Sequence, residues 1–435
     1  MPSRLPSPVS RLPALARLDS LELRGMRLGL AAIDALCERL GRPERELPSA
    51  LVAGTNGKGS TAATLSAIAA AHGIHAGLYT SPHLIDATER IRVEERDIRE
   101  EELDAALARV FAAADRAPAI ALTYFEAMTA AALLVFAGRR LDLAILEVGL
   151  GGRLDATNVA PAVLSAVTSI GLDHTEELGG TLSLIAREKA GIFRRGRPAL
   201  VRASSAEAIE SLRRAASDSG AVWHDCSAEV SVEILEVGMD GTRFVLTTPE
   251  RRVELATPLP GAHQAWNAAL AVRAAELLPE PALRLNLEAT SKAVGAVRWP
   301  GRLERFEVAG RRLLLDGCHN PEGAAALAGF LEDAGLEGRC RLVFGAMAEK
   351  DVEEIARLLF PLVAGVTLVT APSPRAATAE ELARRVPEAP GGASVRRSVA
   401  EALQSFLARE DSAPIIVAGS LYLVGEARAW LLARR

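Results

Sequence analysis

The chain has few aromatic residues and few cysteines. Phe, Trp and Tyr make up 4% of its 435 residues, and its cysteines are Cys37, Cys226, Cys318 and Cys340. They are scattered and form no CxxC pair, which argues against zinc and against a disulfide framework and favours reduced thiols. Cys318 beside His319 offers an alternative, a nucleophile pair, but sequence neighbours rarely face each other in that way.

Long apolar runs are also missing. The longest, residues 127–138, lies between Glu126 and Arg139 and is shorter than the roughly 20 residues that a membrane span needs. The basic start of the chain is interrupted by prolines and has no continuous apolar core, so it is not typical of a signal peptide. We therefore expect a soluble, cytoplasmic protein without a membrane partner.

Neither sign of charge dominates. The 50 Lys and Arg residues stand against 55 Asp and Glu residues, which leaves a formal net charge of −5. This balance argues against a protein that binds nucleic acid through a bulk positive field. An anionic ligand must instead be held by individually placed groups. The length exceeds the roughly 100–200 residues of one typical domain, so two or three domains are expected.

Short β-like runs alternate with helical patterns along most of the chain. Several of the first strands are apolar on both faces, as buried parallel strands usually are, and they are predicted at 51–53, 75–80, 141–149 and 162–171. Between residues 221 and 260, short alternating runs, including AVWHD, predict a small antiparallel patch around Asp240-Gly241. A second alternating series begins near residue 298.

The predicted fold is α/β with two domains. Residues 1–297 are expected to form a P-loop ATPase-type domain, whose mostly parallel sheet is accompanied by the small antiparallel patch. Residues 298–435 are expected to form a Rossmann-like domain with strands in RLLLDG, RLVFGA, GVTLVT and PIIVAG. The segment 297–301 carries the turn residues of a linker.

A glycine-rich segment follows the first predicted strand and leads into an Ala-rich helix. Its residues are Gly54, Thr55, Asn56, Gly57, Lys58, Gly59 and Ser60. Glycines let backbone N–H groups point at an anion, and the helix start adds partial positive charge. Lys58 is placed to reach nucleotide phosphates and Ser60 to meet magnesium, whereas the alternative is an ordinary turn. The strict pattern GxxxxGK[ST] fails, because Gly59 separates Lys58 from Ser60.

Polar residues lie at the ends of other predicted strands, where open α/β sheets bind their ligands. A buried carboxylate such as Glu147 is costly unless it is paired or binds a metal, so magnesium is favoured over a pair with Arg153. His174 fits a metal ligand and a structural residue equally well. From the sequence alone, Lys189 is better explained as a solvated cation at a helix end.

Two further groups of residues have alternative interpretations. Ser81, His83 and Arg90 follow the strand at 75–80 and suit a loop that binds a metal or a carboxylate. In the second series, Arg302 precedes a strand that ends at Asp316. The acid Asp316 and the amide Asn320 at this strand end, with Arg302 nearby, suit a site that closes over a nucleotide, but Asp-Gly and Asn-Pro in the same segment are also common in turns.

Nine segments form an ordered set along nearly the whole chain. They are AGTNGKGST (53–61), SPHL…ERI (81–91), TYFE..T (123–129), EVGLGGRLDATN (147–158), DH..LGGTL..IAREKAGI (173–192), HQ..NAALA (263–271), WPGRLE (299–304), LDG.HNP.GA (315–324) and GSLYLVGEA (419–427). In this order they resemble the bacterial dihydrofolate synthase/folylpolyglutamate synthase family of the Mur ligase superfamily, whose phosphate loop is similar to GTNGKGST.

The resemblance implies a role for each of several residues. Magnesium, as two ions, would be held by Ser60, Ser81, Glu147 and His174. ATP would contact the loop 54–60 together with Asn267, Arg302 and Asp316. Catalysis would depend on Lys58, His174 and a carbamylated Lys189. The acceptor substrate and glutamate would contact His83, Arg90, Phe125, Arg153, Asp155 and His319.

The implied reaction is an ATP-dependent amide ligation. ATP phosphorylates a carboxylate of dihydropteroate or a folate, the amine of glutamate attacks the acyl phosphate, and ADP and phosphate leave. Lys58, magnesium and the N–H groups would screen negative charge, and closing domains would exclude water. The expected partners are these small molecules, with no nucleic acid, and a monomer is the family expectation.

Three departures from the family pattern leave the metal and phosphate residues untouched. They are VEERD at 93–97 instead of a glycine turn, Cys318 instead of alanine, and Glu349-Lys350-Asp351 instead of an Asp-Lys-Asp triplet. The first leaves substrate preference open. Rival hypotheses are a ligase for a UDP-linked cell-wall precursor and a nucleotide-binding switch without ligation; SPHL, TYFE and GLGGRLDATN favour folate.

Overall fold

The computed structural model describes residues 12–21, 27–279, 285–386, 389, 392–409 and 411–434. The strands of this part are β1 Ser49–Ala53, β2 Ala76–Tyr79, β3 Ile91–Val93, β4 Arg96–Asp97, β5 Leu143–Glu147, β6 Ala162–Val167, β7 Pro198–Val201, β8 Val222–Asp225, β9 Ser231–Gly238, β10 Gly241–Thr247, β11 Arg252–Thr257, β12 Glu304–Val308, β13 Arg311–Asp316, β14 Arg341–Phe344, β15 Gly365–Leu368, β16 Ala393–Val395 and β17 Ile415–Ala418.

The helices of the same part are α1 Pro13–Asp19, α2 Ala31–Arg39, α3 Lys58–Ala71, α4 Glu100–Ala114, α5 Tyr124–Arg139, α6 Thr175–Leu178, α7 Leu182–Ala190, α8 Ala206–Ser219, α9 Cys226–Glu229, α10 Ala262–Leu277, α11 Leu287–Ala296, α12 Pro321–Asp333, α13 Val352–Leu359, α14 Ala379–Arg385, α15 Val399–Leu407 and α16 Leu421–Leu432. Among these helices, none is both long and apolar enough to cross a membrane.

The largest sheet has the strand order β4-β3-β2-β5-β1-β6-β7-β8. The six strands β2-β5-β1-β6-β7-β8 are parallel to one another, whereas β3 and β4 pair antiparallel at one edge. Every residue of β1 and β5 is buried, because helices cover both faces of the sheet. The carboxyl ends of β5, β1 and β6 therefore meet at one edge, where the glycine-rich segment follows β1.

Two smaller sheets follow along the chain. Strands β11-β10-β9 form the predicted antiparallel patch, and the third sheet has the order β12-β13-β17-β14-β15-β16. In the third sheet only β12 pairs antiparallel among the described strands. The α/β fold with its mostly parallel first sheet is thus confirmed. The third sheet begins at Glu304, after the predicted linker, and the domain boundary near residue 298 stays a prediction.

One predicted strand belongs to a different sheet. The alternating pattern of AVWHD and its place in the sequence predict a strand of the antiparallel patch. In the structure, β8 pairs parallel with β7 at the edge of the large sheet, with Val201 beside Asp225. An edge strand is half solvated, so it alternates like an antiparallel strand although its neighbour is parallel.

The segment VEERD contains the end of β3, the turn residues Glu94 and Glu95, and both residues of β4. Glu94 and Glu95 adopt φ values of 52° and 64°, a left-handed conformation that favours glycine. Two side-chain contacts hold the turn: Glu94 pairs with His75 at 2.7 Å, and Ser66 of α3 donates a hydrogen bond to Glu95. Side-chain contacts thus replace the backbone freedom that a glycine turn would supply.

Candidate active site

The glycine-rich segment is a tight loop between β1 and α3. Its backbone is held by the strand next to β1: Thr55 N–H donates to the carbonyl of Ser169 at 2.9 Å, and Asn56 N–H donates to Ser169 Oγ at 3.0 Å. Thr168 Oγ1 donates to the carbonyl of Asn56 at 2.5 Å. These bonds fix the loop at the start of a 14-residue helix, where free N–H groups and the helix dipole favour an anion.

Two glycines of the loop are required by their neighbours. Gly57 has φ +84°, and a Cβ there would lie 2.4 Å from Asn267 Oδ1. Gly59, which breaks the strict phosphate-loop pattern, would place a Cβ 2.6 Å from the ring of Trp299. Asn267 therefore packs directly on the loop, although it follows Gly57 by more than two hundred residues.

Two lysines converge on one carbonyl oxygen of the loop. Lys58 Nζ donates to the carbonyl of Gly54 at 3.0 Å, and Lys189 Nζ donates to the same oxygen at 2.9 Å. Burial lowers the pKa of Lys58, although the charges of Glu147 and Asp173 oppose this effect. Burial and the charge of Lys58 together lower the pKa of Lys189 to about 7. Lys189 is buried, so it is not the solvated cation that the sequence alone favours.

Glu147 lies at the end of β5 with its carboxylate buried. Its Oε2 accepts a hydrogen bond from the backbone N–H of Ser81 at 3.0 Å. Burial raises the pKa of Glu147, and the nearby charges of Lys58, Arg302 and Arg90 act in the opposite direction. The alternative pair with Arg153 is wrong, because Arg153 binds Glu188 with an Nη2–Oε1 distance of 2.8 Å. A buried carboxylate beside a phosphate loop has the oxygen chemistry that magnesium prefers.

His174 follows β6 and starts the short helix α6. Its φ of +51° is unusual for a residue other than glycine, and such strain is common at functional sites. Burial lowers its pKa, while the adjacent Asp173 acts in the opposite direction. Among the described residues, no three His, Cys, Asp or Glu side chains form a metal-binding group. Any ion here would therefore need oxygen ligands such as Ser60, which is buried on α3.

The predicted substrate residues around Arg90 form one cluster. Arg90 Nε donates to His83 Nδ1 at 2.9 Å, and its guanidinium lies 4.9 Å from the ring centre of Tyr124. Burial and the charge of Arg90 lower the pKa of His83 to about 3, so the imidazole stays neutral and accepts this bond. Phe125 packs over Gly149, where a Cβ would lie 2.7 Å from its ring.

Asp155 and Arg153 organise the loop 148–158. Asp155 is buried and accepts hydrogen bonds from the N–H groups of Gly149, Leu150 and Thr157, each at 3.0 Å. Arg153 is more than half exposed and pairs with Glu188 on α7. These contacts give both residues a structural task, and their contacts with a substrate stay predictions.

The residues predicted from the second series lie at the start of the third sheet. Asp316 Oδ2 accepts the N–H of Leu303 at 3.0 Å, and Arg302 Nη1 donates to the carbonyl of Gly301 at 3.0 Å. His319 Nδ1 contacts the carbonyl of Gly317 at 2.8 Å, and burial lowers the pKa of His319 to about 4. Burial raises the pKa of the Cys318 thiol, which argues against the nucleophile pair.

Several residues at this site were missed from the sequence. Thr168 and Ser169 hold the phosphate loop, and Asp173 and Lys350, together with the predicted Asn320, connect it to the third sheet. Hydroxyl and amide side chains have no distinctive spacing, so the sequence carries little indication of their role. Lys350 did lie in a segment that departs from the family pattern.

Comparison with known families defines the class of this protein. The Mur ligase middle domain matches residues 52–275, and the Mur ligase, glutamate ligase domain matches residues 301–421. The fold and the loop at β1 therefore define an ATP-dependent ligase of the Mur ligase class.

Individual relatives narrow the class to a family. The chain is 34% identical to the dihydrofolate synthase/folylpolyglutamate synthase of Escherichia coli (strain K12), over 99% of this chain and 98% of that protein. It is 39% identical to a probable bifunctional folylpolyglutamate synthase/dihydropteroate synthase of Haloferax volcanii over 92% of this chain, but spans only 48% of that longer protein.

Two solved structures show the same fold. E. coli FolC in complex with DHPP and ADP has a TM-score of 0.86 at 33% identity and covers 97% of this chain and 98% of its own. A bifunctional folylpolyglutamate synthase/dihydrofolate synthase with Mn, AMPPNP and L-glutamate bound has a TM-score of 0.84 at 33% identity, covering 98% of this chain and 100% of its own. The chain belongs to the dihydrofolate synthase/folylpolyglutamate synthase family, which confirms the resemblance.

Proposed function

We propose that this protein joins L-glutamate through an amide bond to a carboxylate of dihydropteroate or of a folate, with ATP as the phosphoryl donor. The observation that carries the proposal is the meeting of Lys58 and Lys189 on the Gly54 carbonyl, inside the glycine-rich loop that precedes α3. The solved relatives that bind ADP with DHPP, and AMPPNP with L-glutamate, support the same three kinds of ligand.

The residues of the loop meet the electrostatic demand of the reaction. A carboxylate oxygen attacks the terminal phosphorus of ATP, the bond to ADP breaks, and an acyl phosphate forms. Both reactants are anionic, so cationic Lys58 and the N–H groups at the start of α3 would reduce their repulsion. The glutamate nitrogen then attacks the acyl carbon, phosphate leaves with the electron pair, and the nitrogen loses a proton.

We propose that Ser60, Ser81, Glu147 and His174 hold magnesium, as two ions, because the buried Glu147 carboxylate fits a cation and a relative binds Mn. When bound, magnesium supplies positive charge to the phosphate oxygens. Asn267, Arg302 and Asp316 are proposed to hold the nucleotide, with Asn267 already packed on Gly57. The proposed domains are residues 1–297 and 298–435.

We further propose that Lys189 is carbamylated. Its pKa of about 7 leaves a neutral amine at and above neutral pH, and only the neutral amine adds carbon dioxide. The carbamate would place a negative charge beside Lys58, whose positive charge disfavours the ammonium form of Lys189. A monomer is proposed as well, and light scattering can check it.

His83, Arg90, Phe125, Arg153, Asp155 and His319 are proposed to contact the acceptor or glutamate. The neutral His83 and the stacked Arg90 would present one fixed cation to an anionic part of the acceptor. A substrate comparison tests the function: the purified protein is incubated with ATP, glutamate and either dihydropteroate, tetrahydrofolate or a UDP-muramyl acceptor. ADP and amide product are measured in each mixture.

We expect glutamate-dependent ADP release with dihydropteroate, tetrahydrofolate or both. Release only with the UDP-muramyl acceptor would contradict the folate assignment. ATP binding without turnover on any acceptor would favour a nucleotide-binding protein that performs no ligation. The relative rates with the two pterin acceptors decide whether the protein has one activity or two.

A further inference from the structure

One carboxylate of the large sheet faces several side chains of the third sheet. Asp173, which follows β6, accepts a hydrogen bond from Lys350 Nζ at 2.7 Å and from Asn320 Nδ2 at 3.0 Å. His319 Nε2 lies 3.9 Å from the same carboxylate. The side chains of Asp173 and Lys350 are only 12% and 15% exposed, so solvent screens this ion pair weakly.

The contacts continue from Asp173 to the phosphate loop. Asn320 is buried and exchanges two hydrogen bonds with Asn56, each at 3.2 Å. Asn56 Nδ2 also donates to Glu322 at 2.8 Å. Asn320 caps α12 by accepting the N–H of Gly323 at 2.8 Å, so the start of that helix is fixed relative to the loop.

The backbone around Lys350 is also fixed by contacts with other residues of the second half of the chain. Arg385 Nη2 donates to the carbonyl of Lys350 at 3.2 Å, and Asp351 caps α13 through the N–H of Glu354. Glu349 turns to the surface and pairs with Arg375 at 3.5 Å. Only Lys350 of this triplet therefore reaches the large sheet among the described contacts.

Lysine is rare in this chain compared with arginine. Of the 50 basic residues 46 are arginine, and the lysines are Lys58, Lys189, Lys292 and Lys350. Lys292 is exposed on α11, whereas the other three lie at the phosphate loop or in the contact just described. A lysine ammonium is a compact point charge, unlike the larger planar guanidinium, and this difference matters where space is restricted.

We propose that Asp173, Asn320 and Lys350 are positioning residues that hold the third sheet against the phosphate loop, so that the amine reaches the acyl phosphate before water does. Together with Asn56 they form a continuous chain of hydrogen bonds from Lys350 to the loop. The inference rests on the proposed ligase function. Loss of the network would leave the loop able to bind and cleave ATP but would let water reach the intermediate.

The ratio of ADP released to amide formed tests the proposal. In the parent this ratio is expected to be about one, and in Lys350→Met to rise to at least about three, because a less closed site admits water. Amide formation should fall roughly 10- to 100-fold, as for a displacement of about 1 Å. Reduced folding alone would lower ADP and amide together and leave the ratio unchanged, which would overturn the proposal.

Three further variants sharpen this test. Arg305 of β12 pairs with Asp240, between β9 and β10, on the exposed surface, so Arg305→Met breaks an ion pair outside the network and should keep the parent ratio. The double variant Asp173→Asn/Lys350→Met should be no worse than Lys350→Met, since the ion pair is already lost in Lys350→Met and the remaining amide oxygen at position 173 can still accept from Asn320. Additive losses in the double variant would show that the two residues do not act together. Lys350→Arg keeps the charge, so its ratio of ADP to amide should lie between those of the parent and Lys350→Met.

Hydrogen exchange separates this inference from the proposed function, because it needs no acceptor substrate. In Lys350→Met, amides of residues 54–60 and 320–326 should exchange faster than in the parent, while those of 287–296 stay unchanged. Equal exchange in both proteins would overturn the network. If the parent makes no amide with either pterin acceptor, the proposed function fails. The exchange rates still show whether Lys350 holds the third sheet against the loop.

Discussion

At the scale of single residues, burial changes the ionisation of two lysines beside the glycine-rich loop. Lys58 and Lys189 share one carbonyl oxygen, and burial lowers the pKa of both. A nucleotide phosphate would restore the preference of Lys58 for its charged form, since an opposite charge nearby favours ionisation. Lys189 has the additional option of a carbamate.

The first prediction concerns Lys58. Lys58→Ala should lower kcat by about 10²–10³-fold or more, because the charge opposite the transferred phosphate is removed inside a buried site. Steady-state turnover with ATP, glutamate and the active acceptor measures this loss. Lys292→Ala, at the exposed lysine of α11, serves as the control and should match the parent. An active Lys58→Ala protein would remove the central role of the loop.

The second prediction concerns Lys189 and pH. Because the pKa of Lys189 is about 7, its amine is protonated below that pH and neutral above it, so carbamylation is lost as pH falls. Protein depleted of carbon dioxide should regain activity on adding bicarbonate at pH 8 but little at pH 6. Lys189→Ala should lose activity, and a short-chain carboxylic acid should restore part of it. A fully active Lys189→Ala would contradict carbamylation.

At the scale of elements, the site exists because three neighbouring parallel strands end together. The loop follows β1, Glu147 ends β5 and Thr168 follows β6, and β1 lies between the other two. Parallel strands place their carboxyl ends at one edge, so residues distant in sequence meet there. The extra glycine of the loop belongs to this arrangement, because the ring of Trp299 occupies the space beside it.

The third prediction concerns that glycine. Gly59→Ala would force the Trp299 ring to move, so we expect a loss of about 1–3 kcal/mol in the free energy of unfolding and weaker nucleotide binding. Gly329→Ala is a matched control on α12, where no heavy atom lies within 4 Å of the new Cβ. It should stabilise the protein by about 0.5–1 kcal/mol. Denaturant unfolding and nucleotide titration measure both changes, and an unaffected Gly59→Ala would refute the close packing.

At the scale of the whole molecule, the residues proposed to bind ligands lie at two different sheets. The phosphate loop belongs to the large sheet, while Arg302, Asp316 and His319 belong to the third sheet. Ligands that bind both sheets stabilise the folded chain through the linkage of binding to folding.

The fourth prediction concerns metal binding by the whole protein. A nucleotide analogue with magnesium at about 100 times its Kd should add about 2.7 kcal/mol to the free energy of unfolding. A chelator should reduce this gain in the parent. In Glu147→Gln the gain should be the same with and without the chelator, because a neutral amide replaces the buried carboxylate. Thermal unfolding measures all four conditions, and a chelator effect of parental size in Glu147→Gln would exclude Glu147 as a ligand.

The sequence by itself determined the order of elements and the class of chemistry. Local patterns depend on neighbours along the chain, so β1, the loop and α3 were predicted close to their observed positions. The loop sequence also indicated phosphate, because glycines, Lys58 and a helix start act within seven residues. Edge strand β8 was misplaced for the same reason: its local pattern does not reveal which strand lies beside it.

Only the tertiary structure decided which side chains meet. Lys189 has the local sequence of an exposed helix end, yet folding buries it against Gly54, 135 residues away. Arg153 was the nearest candidate partner of Glu147 along the chain, yet it pairs with Glu188. Asp173 and Lys350, 177 residues apart, form a largely buried ion pair. Burial and distant charges set the pKa of such groups, and both depend on the packed fold and not on neighbours in sequence.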